Sequence, residues 1–202
     1  MPSQTQNVRM SHHDWHSSAY VAEWIAKDVT RDDERRPLLR QMLDAAPFAR
    51  DRAIDVLDVG AGYGIVTEEV LQLFPAARVV MQDYSQPMSD QARERVAKAA
   101  HEPRYVLCDL LDPAWPQKVG GPFDLAVSAI AIHNLGDRAK IFACYRAIHG
   151  LLKPGGFFLN YDRFPGGAEP HLQALRDGGF DRVETTYEKP PIAIVVAGRT
   201  GA

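Results

Sequence analysis

The chain of 202 residues has two cysteines, Cys108 and Cys144. Two thiols without a secretory leader do not make a disulfide framework. Cys108 falls in an apolar run and reads as a small buried hydrophobe. No apolar stretch approaches the ~18 residues that a bilayer span requires. Residues 1–10 are polar and lack the apolar centre of a signal peptide. A basic excess is missing as well: 23 Lys and Arg stand against 26 Asp and Glu, for a net charge of −3. Arg35, Arg36 and Arg40 follow directly on Asp32, Asp33 and Glu34, so no basic stripe forms. Internal repeats and low-complexity blocks are also lacking. These absences argue against a disulfide-stapled module, a membrane protein and a nucleic-acid binder. They leave the expectation of a cytoplasmic globular protein with a small-molecule partner, its oligomeric state open between monomer and homodimer.

What is present is patterned. The hydrophobic fraction of 46% and charged fraction of 24% suit one domain with a sizeable core. Residues 1–10 are expected to be disordered, and Met10 is a possible alternative start. Ser17 and Ser18 can cap a helix bearing Tyr20, Val21, Trp24, Ile25 and Val29 at helical spacing. A second helix is expected after Asp32 and Asp33, with Pro37 in its first turn and an end at Pro47. The rhythm then changes. Strands are predicted over 54–59, 78–82, 105–108, 123–130, 157–161, 182–187 and 192–197. Helices are predicted over 64–74, 86–100, 137–152 and 169–177. Strand–helix alternation with apolar strands implies an α/β, mainly parallel sheet covered on both faces. The last two strands have no room for a helix between them and should pair antiparallel. In such sheets ligands bind beyond the carboxyl ends of the strands. Trp115, between Pro113 and Pro116, reads as the anchor of a surface loop.

The segment Asp58-Val59-Gly60-Ala61-Gly62-Tyr63-Gly64 follows the first strand and opens a helix. Its glycines allow a tight turn and close approach to a ligand. A dinucleotide fingerprint starting at Gly60 needs glycine at position 65, where Ile65 stands. Acidic residues close the second and third strands, Asp83 and Asp109. A carboxylate suits the two hydroxyls of a cis-diol or an exocyclic amine; taken singly, each reads equally as a helix cap.

Together these residues resemble the class I, Rossmann-like S-adenosylmethionine-dependent methyltransferases of small-molecule type. Asp58 to Gly64 resembles their D-x-G-x-G-x-G loop. The likeness runs in register across residues 54–198, through Val79 to Ser85, Cys108-Asp109-Leu110, Phe123 to Ser128 and the Leu152-Lys153-Pro154-Gly155-Gly156 turn. It implies a doubly wound, seven-stranded sheet in the order 3-2-1-4-5-7-6 with an antiparallel last strand, and S-adenosylmethionine as cofactor. By the same resemblance Asp58 helps to hold the cofactor's amino group, directly or through water. Gly60, Ala61, Gly62 and Gly64 form the cradle, Asp83 takes the ribose and Asp109 the adenine. Tyr84, Met88 and Leu110 either wall the adenine or simply pack, and Ser128 closes the fourth strand beside the site. The implied organisation is a helical cap over 11–47 and a cofactor-binding domain over 48–202.

Methyl transfer needs a base only where the nucleophile arrives protonated. His133, in the stretch after the fourth strand, is the candidate, and it reads equally as a helix cap or a frame for the cofactor. The cluster Ser11-His12-His13-Asp14-Trp15-His16 invites a metal reading. With Tyr20 and Trp24 beside it, a lid is preferred and no metal is expected. His16, Tyr20, Trp24, His133 and Tyr161 are therefore the candidate substrate-side residues. Ser128-Ala129-Ile130 stands where adenine- and glutamine-N-methyltransferases carry N/D-P-P-Y, which disfavours those substrates. Ser128 and the Asp162-Arg163 pair likewise depart from the metal-dependent catechol pattern. The short 163–170 connection leaves acceptor recognition to the N-terminal helices. The acceptor atom stays open among oxygen, nitrogen and carboxylate. A tRNA- or protein-modifying enzyme and a non-catalytic cofactor-binding regulator are the alternatives.

Overall fold

Residues 14–164 and 166–201 are described by a computed structural model of the chain; His12 and His13 lie outside them. Helix α1 (Ser18–Asp28) begins at an N-cap Ser17, whose hydroxyl accepts from the Tyr20 amide. A 3-10 turn over Val29–Arg31 leads straight into α2 (Asp32–Asp44). Pro37 therefore lies in the second turn of α2 rather than the first. The earlier start places Asp32, Asp33 and Glu34 in the first turn, where negative charge suits the helix dipole.

The alternating part follows: β1 (Asp55–Val59), α3 (Ile65–Leu73), β2 (Arg78–Asp83), α4 (Gln86–Val96), β3 (Arg104–Leu107), α5 (Trp115–Val119), β4 (Phe123–Ala129), α6 (Arg138–Leu151), β5 (Leu152–Arg163), α7 (Glu169–Asp177), β6 (Arg182–Lys189) and β7 (Ile192–Gly198). The seven strands form one sheet in the order β3-β2-β1-β4-β5-β7-β6. Pairing is parallel from β3 through β5, and β7 runs antiparallel to both β5 and β6. This is the expected order.

Two buried clusters explain the layers. On one face α1 to α4 cover Val56, Leu125, Val127, Leu159 and Ile194. On the other, α5 to α7 cover Leu57, Val59, Ala126, Phe158 and Val195. Alternate residues of each strand thus serve opposite faces, the two-residue period of a sheet buried on both sides.

Besides α2, helix α4 stops at Val96, short of the expected residue 100, and three further elements differ from the expectation. Trp115 is not a surface-loop anchor: it opens α5 and is 3% exposed in the second cluster. Pro116 sits in the first turn of that helix, where its missing N–H costs nothing. A 3-10 turn occupies Ile132–Leu135. Strand β5 starts at Leu152, ahead of the Pro154-Gly155-Gly156 turn, with a register shift against β4 between Phe123 and Leu125.

Candidate cofactor and acceptor site

The chain crosses from β1–β2–β3 on one side of β1 to β4 on the other, so the switch point lies at the carboxyl ends of β1 and β4. The glycine loop begins there. Its glycines meet three different surroundings. A side chain on Gly60 would place Cβ 2.5 Å from Ala131 Cβ, so Gly60 lets the loop after β4 lie against the glycine loop. One on Gly64 would press on Ala92 at 3.1 Å, so Gly64 lets α3 pack on α4. At Gly62 a Cβ would meet nothing within 4 Å. Of the three, Gly62 alone faces open space. It adopts φ +54, a conformation that glycine takes without steric cost.

Beneath the loop, Asp58 is fully buried. Its Oδ2 accepts from Thr67 Oγ1 at 2.6 Å, and its Oδ1 finds no partner among the described residues. Burial pushes the Asp58 carboxyl up to about 7; the Thr67 hydrogen bond opposes the rise and nearby Asp83 adds to it. A buried carboxylate with an unsatisfied oxygen is costly alone and suited to a cationic ligand.

Asp83 closes β2. Its Oδ2 accepts from the Gly62 amide and its Oδ1 from the Ser85 amide, both at 2.8 Å. Burial raises its carboxyl above the usual range, and these amides hold it back. A carboxylate has two acceptor oxygens, which suits a pair of hydroxyl donors. The donor set thus fits the implied cofactor: an orphaned acid for an ammonium, a two-acceptor carboxylate for a diol, and a loop open at Gly62.

Gln82 was not singled out in the sequence. Its Oε1 accepts from the Gly60 amide at 2.9 Å and its Nε2 donates to the Cys108 carbonyl at 2.6 Å, while the Gln82 carbonyl accepts from the Ala61 amide at 2.8 Å. It straps the ends of β1, β2 and β3 together. A neutral amide inside an otherwise apolar strand was the available signal.

The other candidates fall into place unevenly. Asp109 is exposed and caps its own turn, Oδ1 accepting from the Leu111 amide at 2.8 Å. Tyr84 is 37% exposed, its ring edge-on to that of His16 with centroids 5.1 Å apart. Met88 is buried in the first core cluster, and Leu110 packs against the second. Ser128 is expected among the cofactor-binding residues. It is fully buried and its hydroxyl donates to the Val59 carbonyl at 2.9 Å, so it props the loop from below. Trp15, Tyr20 and Trp24 form one aromatic group with edge-on rings, Trp15–Trp24 centroids 5.1 Å apart. The Ser85 hydroxyl donates to the Trp15 carbonyl, which ties this group to the turn after β2. Tyr161 is buried on the same face of the sheet, next to Arg35.

After β4 the chain turns through Ile130, which takes φ +51. A β-branched residue rarely adopts that conformation, and it aims the following 3-10 turn. The turn carries His133. Its Nδ1 lies 2.6 Å from Asp162 Oδ1, and its amide donates to Asp162 Oδ2 at 3.1 Å. Asp162 is 2% exposed and His133 is half-buried. The parallel pairing of Ala129 with Tyr161 brings the two segments together. Asp162 was weighed in the sequence only as a metal ligand. Here it holds one imidazole nitrogen, Nδ1. Among the described residues no group of three or more His, Cys, Asp or Glu is placed to hold a metal.

A family model described as a methyltransferase domain matches residues 56–156, half of the chain. The chain is 31% identical to a trans-aconitate 2-methyltransferase of Variovorax paradoxus over 125 residues, 62% of this chain and 44% of that protein. It is 31% identical to a malonyl-[acyl-carrier protein] O-methyltransferase of Chlorobium phaeovibrioides over 140 residues, 68% and 50% respectively. The chain thus spans about half the length of the curated relatives it matches. Its fold matches an O-methyltransferase family protein from Burkholderia thailandensis with a TM-score of 0.72 at 18% identity, covering 94% of this chain and 61% of that one. With the sheet order, the glycine loop and the matched segment in agreement, the chain belongs to the class I, S-adenosylmethionine-dependent methyltransferase family.

Proposed function

We propose that the chain transfers the methyl group of S-adenosylmethionine to a proton-bearing oxygen or nitrogen of a small molecule. The cofactor supplies the electrophilic methyl group, and the protein's part is to hold, orient and desolvate. Asp58 faces the ammonium and Asp83 the ribose hydroxyls. Gly60, Ala61, Gly62 and Gly64 provide the backbone seat, and Asp109, Tyr84, Met88 and Leu110 line the adenine end. Helices α1 and α2 cap the site, with His16, Tyr20, Trp24 and Tyr161 on the acceptor side.

The observation that carries the reading is the His133–Asp162 pair. A buried carboxylate that fixes an imidazole tautomer is the arrangement of a general base. A base serves an acceptor that arrives protonated. Ala131, two residues before His133, lies against the glycine loop at Gly60, which brings the turn that carries His133 close to that loop.

A second reading is supported by the names of the relatives, which act on trans-aconitate and on malonyl-[acyl-carrier protein]. Carboxylate methylation needs no base. Radiolabelled methyl transfer over a panel of phenols, alcohols, amines and carboxylic acids separates the two, run with the wild type and with His133→Asn. A hydroxyl or amine product whose formation collapses in the variant supports the proposal. A base-labile methyl ester formed equally by both proteins transfers the assignment to carboxylates. Tight cofactor binding without turnover on any acceptor would support a regulatory protein, and salt-dependent retention on RNA would revive the tRNA reading.

A further inference from the structure

Tyr63 is the one large side chain within the glycine loop, between Gly62 and Gly64. It points away from the open side and is 5% exposed. Three helices grip it. Its hydroxyl lies 2.8 Å from Asp32 Oδ1 and 3.1 Å from Asp28 Oδ2, and accepts from Arg35 Nη1 at 2.9 Å. The Arg95 guanidinium of α4 stands 4.7 Å from its ring centre, and Trp24 of α1 meets the ring edge-on at 6.0 Å. Burial pushes the phenol far above its ordinary range, with Asp28 and Asp32 adding to the rise and Arg35 opposing it, so the hydroxyl keeps its proton.

The contacts extend outward. Arg35 holds Asp28 with both terminal nitrogens, at 2.7 and 3.0 Å. Arg95 joins Asp32 and Glu68, each at 3.0 Å. Arg36 joins Glu68 and Glu69, and Arg40 reaches Glu69 at 2.7 Å. Four carboxylates meet four guanidiniums along the seam between the N-terminal helices and the α3–α4 layer. Charge balance makes this seam hold without an excess of either sign, and the Tyr63 hydroxyl is where it reaches the cofactor loop.

We infer that Tyr63 is a positioning residue: its hydroxyl transmits the seating of α1 and α2 to the glycine loop and thereby sets the affinity for the cofactor. The inference rests on the cofactor assignment above. The mechanism is geometric. Gly62 and Gly64 have no side chains to hold the loop, and the Gly62 amide must meet Asp83 Oδ2. Tyr63, between them, is the side chain through which packing can fix that amide. Phenylalanine would keep the ring and its packing and would lose the three polar contacts.

The test is calorimetric titration of the whole chain with S-adenosylhomocysteine. It compares wild type, Tyr63→Phe and Arg40→Ala, with thermal melts and cofactor KM and kcat measured in parallel. Arg40→Ala weakens the same seam at its far end and touches neither loop nor site. The expected result is about tenfold weaker binding for Tyr63→Phe, the scale of one lost hydrogen bond to charged groups. The cofactor KM should rise in step while kcat stays within about twofold. Arg40→Ala should lower the melting temperature and leave the affinity unchanged. Wild-type binding with unchanged affinity in Tyr63→Phe overturns the inference, as does an equal loss in both variants. Absence of wild-type binding overturns the cofactor assignment instead. If Tyr63→Phe does not fold, Asp32→Asn weakens the hydroxyl's anchor from outside the loop, and unchanged affinity there overturns the inference equally.

Discussion

At the scale of the residue, Asp58 has the most direct consequence for titration. Its folded-state value of about 7 lies above the ordinary 3.8, so the folded chain holds this proton where the unfolded chain has lost it. Stability from this group is therefore full below about pH 4 and is lost as pH rises toward 7. Urea unfolding of the free protein across that window should show the decline, and Asp58→Asn should flatten it. A cationic ligand beside Asp58 reverses the preference. Binding of S-adenosylhomocysteine near pH 6 should release about one proton, measured by calorimetry in buffers of different ionisation enthalpy. The variant should release none and bind weakly.

His133 and Asp162 make the second residue-scale case. His133→Asn should reduce kcat by about 10²–10⁴ on a hydroxyl acceptor and leave the affinity for S-adenosylhomocysteine unchanged. Asp162→Asn should reduce kcat in the same direction, because a carboxamide can hold the wrong imidazole tautomer. Single-turnover rates and calorimetry together check both. His133 was visible in the sequence as a histidine after the fourth strand. Its partner was not, because the pairing depends on the register of β4 against β5. Nothing local in a single chain announces that register.

At the scale of the element, the glycine loop shows how one pattern serves unlike ends. Gly64→Ala must place a methyl group against Ala92 at φ +84, so it should cost about 2 kcal/mol or more in stability. Gly62→Ala has open space and pays only for its φ, about 1–2 kcal/mol. It should keep its fold and lose cofactor affinity, since the new methyl group occupies the ligand side. Thermal melts and calorimetry on the two variants should therefore rank them in opposite orders. The strand–helix alternation was legible from the apolar strands and their connections, whereas the strand order came from the resemblance carried by the glycine loop and the strand-end motifs. Helix α5 was not. Pro113 and Pro116 read as loop residues, and only the packing of Trp115 shows that Pro116 occupies a first turn. The start of β5 ahead of Pro154 was hidden in the same way, behind a turn signal that the sheet accommodates with a bulge.

At the scale of the whole molecule, the N-terminal helices and the sheet meet across an ionic seam as well as an apolar one. Glu69 is 2% exposed and accepts from both Arg36 and Arg40. Removing one member of a buried ion group leaves charge uncompensated. Glu69→Gln should lower stability by about 3 kcal/mol, read from urea unfolding, with cofactor affinity retained because Tyr63 keeps its own partners. Cofactor binding should act on the whole fold by mass action. S-adenosylhomocysteine at a hundredfold excess over Kd stabilises the folded chain by about 2.7 kcal/mol. For a chain of this size that is a rise in melting temperature of about 5–10 °C, and no shift at saturating ligand would count against the cofactor assignment.

The Gln82 strap has a consequence for how information is shared among the loops. Its amide gives one hydrogen bond and takes another, toward Cys108 and Gly60 respectively. It carries no charge, so it can join the two ends of the seat without competing with Asp58 or Asp83 for a cationic or hydroxylic ligand. Glutamate at this position would keep the shape and the acceptor and lose the donor. The Gly60 turn would stay tied to β2 while the end of β3 at Cys108 lost its tie, so a single isosteric exchange would undo half of the strap.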